Sequence, residues 1–322
     1  MPQARGTQTT VALFEESVYA TDPGAPVGTK FYIVKSGLRA TQGRFDSNTL
    51  DVSRSRTRPA LGNIDSAGPI ETEISAENIG TALKHVMGTS TPTGVGPYTH
   101  TLTLSSLPVG LVIENDYGAN ISGVGRYEKF NGARFNGATF RFPTDGYCTA
   151  SFDAVAAKST LGSAPLDVTL TDNGHTPFSS FQASIQEGGG AIATVTSVEF
   201  KLDNGLDKSV YALGGAGQRR ALPEGFATIT GTLTALFEDA TLLNKAINDT
   251  TSSLQITLTR GTGLGSAGNE SIVFLLQQLV YDRTSPGIEG PNGIVLSLPF
   301  RVFRSGANAG LLVTLKNALA TI

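Results

Sequence analysis

Gly263-Leu-Gly265-Ser-Ala-Gly268 is a G-x-G-x-x-G run behind an alternating stretch, and Asp282 lies near the spacing of a ribose-binding acid. Such glycines hold a dinucleotide when they open a helix whose N-terminus meets the pyrophosphate inside a parallel βαβ unit. Here the flanking residues alternate apolar and polar, as in antiparallel sheets with one wet face. Asp282 is followed by Arg-Thr-Ser-Pro-Gly, a turn. A chain with 38 glycines produces such matches by accident, so neither a nicotinamide nor any other cofactor is expected. His85, His100 and His175 share no metal-ligand spacing, and no H-E-x-x-H, G-x-S-x-G or P-loop frame occurs. His85 reads as a helix-surface residue, and His100 as facing the threonines of its strand. A nucleophilic cysteine needs a base and an electropositive setting. Cys148, in Gly146-Tyr-Cys-Thr-Ala-Ser-Phe152, reads instead as a small strand residue. No catalytic, metal or cofactor residues are expected, and the chain does not read as an enzyme.

The remaining chemistry is charge. Arg54, Arg56 and Arg58 form an alternating basic patch, and Arg219-Arg220 occupy the corresponding stretch further on. They are either a solvated loop or contacts to an acidic neighbour in an assembly. The 322 residues carry 24 Lys plus Arg against 27 Asp plus Glu, a net charge of −3, and the charged fraction is only 16%. A weakly acidic, charge-poor chain is ill suited to gripping nucleic acid through its phosphates. One cysteine excludes an intrachain disulfide framework and a cysteine zinc cluster. The best apolar run, Ile272 to Val280, is broken by Gln277 and Gln278 and is too short to cross a bilayer as a helix. The first residues lack the apolar stretch of a signal peptide, so folding is expected where the chain is made.

What must position these residues is mostly strand. Tyr98–Leu104, Ala138–Phe142, Phe226–Thr234, Leu254–Leu258 and Ile294–Leu298 alternate with period two. The pairs Asn131-Gly132, Asn136-Gly137, Asp145-Gly146, Asn173-Gly174, Asn204-Gly205 and Asn292-Gly293 suit hairpin turns. Two segments have helical spacing. Ser75 caps a helix carrying Ile79, Leu83, Val86 and Met87 that Gly88 ends; Asp239 leads into Leu242, Leu243, Ala246 and Ile247. Each follows an alternating strand and precedes a closing hairpin, about Ala133–Val155 and about Ser271–Phe303. The repeated order predicts two tandem modules, against chance likeness between two short helices. The expected division is an arm over 1–28, a first β module over 29–160, a second over 161–304 and a C-terminal arm over 305–322. The boundary falls in Lys158-Ser-Thr-Leu-Gly-Ser-Ala-Pro165, a small-residue stretch typical of linkers.

The order of a strand ending in Glu-Ile-Ser or Leu-Phe-Glu, a short helix, a Gly-rich loop and then Phe130-Asn-Gly-Ala-Arg-Phe-Asn-Gly-Ala-Thr-Phe-Arg-Phe142 with Pro143-Thr-Asp-Gly146 resembles a known family. Gly225–Asp239, Leu254–Gly261 and Leu202–Leu206 add to the likeness. It is to the major tail tube proteins of long, non-contractile-tailed bacteriophages, and covers nearly all of the chain after residue 28. The resemblance implies an all-β fold, a β-sandwich or split barrel with one short helix per module. It also implies rings stacked into the conduit for the phage genome, in a virion tail assembled in the host cytoplasm. Two modules per chain would close a ring with three copies at six pseudo-equivalent positions; a single-module reading would need six.

A pore for duplex DNA needs more strands than one module holds, so the barrel must be shared among modules. Its wall should not grip phosphates. Glu71 and Glu73 lie opposite Ile70, Thr72 and Ile74 on their strand, and Thr228, Thr230, Thr232 and Thr234 lie opposite Ile229 and Leu233. These polar rows are expected to face either the lumen or the outer surface. The expected partners are copies of the same chain, other tail proteins and passing duplex DNA without specific binding, with no membrane. Leu311–Leu315 is expected to add an edge strand to a neighbour, and the arms to act between rings. A tail terminator, a distal tail protein and a carbohydrate-binding sandwich are the rival readings; the last lacks aromatic platforms, with no Trp in the chain.

Overall fold

The computed structural model describes residues 3–50, 52–192, 194–288, 290–291, 293–306 and 308–322. Alternating sequence becomes strand pairing along most of it. The first half holds β1 (Thr10–Glu15), β2 (Thr29–Phe31), β3 (Lys35–Ser36), β4 (Arg39–Phe45), β5 (Ala60–Glu73), α1 (Gly80–Met87), β6 (Ser90–Thr93), β7 (Tyr98–Thr103), β8 (Leu111–Asp116), β9 (Tyr127–Phe142), β10 (Thr149–Ala156) and β11 (Lys158–Gly162). The second half holds β12 (Ala183–Glu187), β13 (Gly190–Ala191), β14 (Val195–Asp203), β15 (Thr228–Leu236), α2 (Thr241–Ile247), β16 (Ser252–Thr259), β17 (Ser271–Tyr281), β18 (Val295–Val302) and β19 (Leu311–Asn317). The fold is all-β with two short helices, as the alternation requires.

Seven strands form one antiparallel sheet in the order β4–β5–β10–β9–β14–β15–β18. The pairing of β9 with β14 welds the two halves. Long strands turn the corner into a second layer. The start of β9 pairs with β8 and β11, while its end pairs with β10 and β14. Likewise the start of β17 pairs with β16 and β19, and Leu279–Tyr281 pairs with β18. The halves therefore repeat one order of pairings, with β10 between β5 and β9 as β18 lies between β15 and β17.

The two layers share one core. Phe140 of β9 sits 5.0 Å, ring to ring, from both Phe200 of β14 and Phe274 of β17, so a single phenyl ties both halves and both layers. Truncating a buried phenylalanine costs about 3–5 kcal/mol through lost burial and the cavity left behind. Phe140→Ala is expected to lower the free energy of unfolding by about that much, measured by urea denaturation of unassembled chain.

Several stretches differ from the sequence expectation. Lys158–Gly162, read as linker, is β11 paired with β9. Within residues 1–28, read as an arm, β1 is paired on both edges and its Val11, Ala12, Leu13 and Phe14 are buried. Leu311–Leu315, read as an edge strand for a neighbour, lies in β19 between β17 and β7 of the same chain, so both its edges are taken. Asn131-Gly132 and Asn136-Gly137 are inside β9, not at turns. Gly132 adopts φ +62° where β9 passes from one layer to the other, and Gly137 lets the carbonyl of Leu202 approach where a Cβ would stand. Of the Asn292-Gly293 pair, Asn292 lies outside the described residues. The first helix begins at Gly80 with Ile79 at its N-cap, so Ser75, whose hydroxyl donates to Glu77, does not cap it.

Candidate functional site

The seven-stranded sheet has one face on the core and one on solvent, and the solvent face is where the polar rows converge. Successive registers place Glu71, Ser151, Thr139, Lys201, Thr230 and Arg301 in one row across six strands. The next row runs Glu73, Thr149, Arg141, Glu199, Thr232 and Pro299. On the other side lie Asp153 and Asp203, level with Pro69 and Thr228. The predicted residues Glu71, Glu73, Thr228, Thr230, Thr232 and Thr234 thus share one face, although they come from strands over 150 residues apart. Ile70 and Thr72 point the other way and are buried, as the alternation requires.

Charge on this face is largely cancelled from within. Lys35 lies 2.7 Å from Glu71, Arg141 2.9 Å from Glu199, Lys201 3.4 Å from Asp203 and Arg301 3.3 Å from Asp282. Exposed pairs of this kind contribute little to stability. What they do is hold each cation against a carboxylate. Arg39 of β4, opposite Ala67 on the same face, is exposed and makes no ion pair among the described residues. With Glu73 and Asp153 added, six carboxylates face five cations, and the surface between them is largely threonine and serine hydroxyl. Nothing in the sequence analysis singles out Arg141, Glu199, Lys201, Asp203 or Arg301, and Asp282 enters it only as a candidate ribose-binding acid. The strict alternation of Val198-Glu-Phe-Lys-Leu-Asp203 was the signal that could have found three of them.

The arginine groups separate. Arg54, Arg56 and Arg58 are exposed in the connection between β4 and β5, where Arg56 lies 2.8 Å from Asp46. Arg219, expected with Arg220 as a contact residue, is instead 5% exposed. Its guanidinium donates to the carbonyls of Lys208 (2.9 Å) and Ala156 (3.0 Å) and pairs with Asp65, pinning the 206–225 loop to the base of the β4–β5 hairpin. Arg220 beside it is exposed.

The other residues weighed for chemistry are structural. His85 is buried rather than on a helix surface, with Nε2 3.4 Å from Glu15, and burial pushes its pKa down. His100 points to the core with Leu102, away from the threonines, with Nε2 2.8 Å from the carbonyl of Leu319. Cys148 is fully buried, which pushes its thiol up to about 12. Gly263, Gly265 and Gly268 form a turn leading into β17, a strand and not a helix. Among the described residues no group of three or more His, Cys, Asp or Glu is placed to hold a metal ion. Among them, too, no helix is long and apolar enough to cross a membrane.

Residues 6–302 match the sequence model of a family described as phage tail tube protein. The chain belongs to the phage tail tube family. No curated protein matches it at a significant level. As a tail tube protein it is a structural component of the virion tail, a member of a family whose chains assemble into the tube and join other tail proteins. The match spans both halves from β1 to β18, including the β6–β7 hairpin, and β19 lies beyond its end.

Proposed function

We propose that this tail tube protein builds the conduit of a long, non-contractile-tailed phage from rings of three copies, each supplying two tandem modules. In this reading the solvent face of the seven-stranded sheet lines the lumen through which the genome is ejected. The modules meet near residues 158–165, with β1 belonging to the first and β19 to the second. The observation that carries the reading is that face. It is continuous across both halves, rich in hydroxyls, and carries cations that, Arg39 apart, are each engaged by a carboxylate. Duplex DNA binds where cations can replace its condensed counterions. A wall whose cations are mostly neutralised, with carboxylates in excess, offers little such exchange and lets the duplex slide. Assembly in the host cytoplasm would precede joining to the capsid.

Contacts along the tube axis fall to Arg54, Arg56, Arg58 and Arg220, with Arg219 acting inside the chain as their support. The repeated order of pairings supports three copies over six, because one chain already supplies two pseudo-equivalent sets of sheet strands, β4–β5–β10–β9 and β14–β15–β18 with the end of β17. Electron microscopy of the purified protein tests this directly. Stacked annuli are expected, and native mass spectrometry of one annulus should return three chains, about 100 kDa from 33.5 kDa each. Six chains per annulus would favour the single-module reading, and a monomer under all assembly conditions would overturn the proposal.

A further inference from the structure

The two halves correspond residue by residue, and the correspondence ends at two bare edges. Lys35 pairs with Glu71 as Glu199 pairs with Thr232. Ser36 pairs with Ile70 as Phe200 pairs with Gly231, and Arg39 with Ala67 as Asp203 with Thr228. Lys35–Arg39 is therefore the counterpart of Glu199–Asp203. On the far side, Phe152 links Ile70 to Ala138 as Phe300 links Gly231 to Tyr281. Tyr281–Thr284 is thus the counterpart of Ala138–Arg141, and the amide of Asp282 continues the pattern by donating to the carbonyl of Pro299.

Inside the chain these counterparts are joined: Ala138–Arg141 pairs with Glu199–Leu202. The remaining two are not. Lys35–Arg39 is bonded on one side to β5, and Tyr281–Asp282 on one side to β18. No strand is paired to the outer side of either among the described residues. They stand at opposite margins of the same sheet, so one copy cannot bring them together. Beside the first edge runs an open groove of about 750 Å³ lined by Lys35, Ser36, Leu38 and Asn115. The Asn115 side chain there is 7% exposed, and its Oδ1 has no hydrogen-bond partner.

We infer that the end of β17 of one copy pairs with the β3–β4 edge of the next, in the register of the internal β9–β14 joint. That register sets Leu38 opposite Tyr281, Gly37 opposite Asp282, Ser36 opposite Arg283 and Lys35 opposite Thr284. The inference rests on the ring reading above and specifies its seam. Strand direction agrees. Counting the end of β17, each copy presents eight strands, β4–β5–β10–β9–β14–β15–β18–β17, antiparallel throughout. An even number lets the last strand meet the next copy's first in antiparallel fashion; the seven-stranded sheet alone would force a parallel seam. Closure also removes the unpaired edges that make isolated sheets aggregate.

Paired Cα atoms across an antiparallel joint lie about 4.5–5.5 Å apart, within disulfide range. In a Cys148→Ala background, oxidised tubes of the Lys35→Cys, Thr284→Cys variant should give dimers and trimers, and nothing longer, on a non-reducing denaturing gel. The Lys35→Cys, Asp282→Cys variant, two residues out of register, should cross-link at least about tenfold more slowly. Unaltered protein gives a second measurement: amide exchange at residues 35–39 and 281–284 should slow about tenfold or more from free chain to tube. Tubes that form without the in-register cross-link, or without added amide protection at both edges, would overturn the seam while leaving the tube standing. Cross-linked hexamers would overturn closure at three. Failure of the unaltered chain to form any annulus would sink the ring reading and the seam with it.

Discussion

Arg54→Glu, Arg56→Glu, Arg58→Glu protein is expected to fold and form rings that do not stack into tubes. Only Ser66–Glu73 of β5 pairs with β10, so Ala60–Asp65 and the β4 residues beside it run on past the end of the sheet. Six residues at about 3.3–3.4 Å each carry the hairpin about 20 Å beyond the last shared rung, with the three arginines at its tip. A two-stranded hairpin is marginal by itself. This one is braced where it leaves the sheet. The Tyr211 hydroxyl donates to the carbonyl of Ile64 at 3.0 Å, the Ile64 amide donates to Gly217, and buried Arg219 holds Asp65.

The opposite end of the sheet exposes carboxylates. Asp145 lies in the turn after β9, and Glu238 and Asp239 follow β15. One end is basic and the other acidic, which is the polarity a head-to-tail stack requires. With Arg56 already held by Asp46, Arg54 and Arg58 on each of three copies supply on the order of 3 kcal/mol per ring junction at about 0.5 kcal/mol per exposed pair. That is roughly a hundredfold in the stacking constant, and reversal replaces it with repulsion of similar size. Sedimentation and electron microscopy read the result; tubes of normal length would place the stacking contacts elsewhere. Stacking of the unaltered protein should also weaken as salt rises, because exposed pairs are screened.

How much of this was legible beforehand depended on whether a residue's neighbours lay near it in the chain. Ile70-Glu-Thr-Glu-Ile74 disclosed its two faces because alternation is local, and Ile70 and Thr72 are buried as it requires. The all-β character followed from many such runs. The pairing partners did not. That Arg141 meets Glu199 depends on β9 joining β14 across the halves, and nothing within either strand specifies it. Val11-Ala-Leu-Phe14 does not alternate, so period two gives no sign of a strand within the expected arm. It is buried on both faces, Val11 and Leu13 in the main core and Ala12 and Phe14 against Val112, Leu166 and Leu170. Asn131-Gly132 has the chemistry of a turn, and its positive φ serves a corner within a single strand instead. Arg219 carries the same charge as Arg220. Only the fold around Asp65 makes one a buried clasp and leaves the other exposed.

Glu71→Lys, Glu73→Lys tubes are expected to assemble normally and to release DNA much more slowly at low salt. Both side chains lie on the solvent face, partly exposed, with their backbones held between strands, so the substitutions leave the core untouched. The change to the face is large. Six carboxylates and five cations become four and seven, and Lys35 loses its partner at 2.7 Å. The new lysines, repeated on three copies, supply about six phosphate contacts per ring. Six to ten such contacts lose about 10³–10⁵ in affinity between 50 and 200 mM salt. The delay should therefore be severe at 50 mM and largely relieved at 200 mM, a dependence that a merely misassembled tube would not show. Glu71→Gln, Glu73→Gln tubes add no cation and should eject at close to the normal rate. Ejection from the lysine variant at an unchanged rate at both salt concentrations would put this face on the outside of the tube.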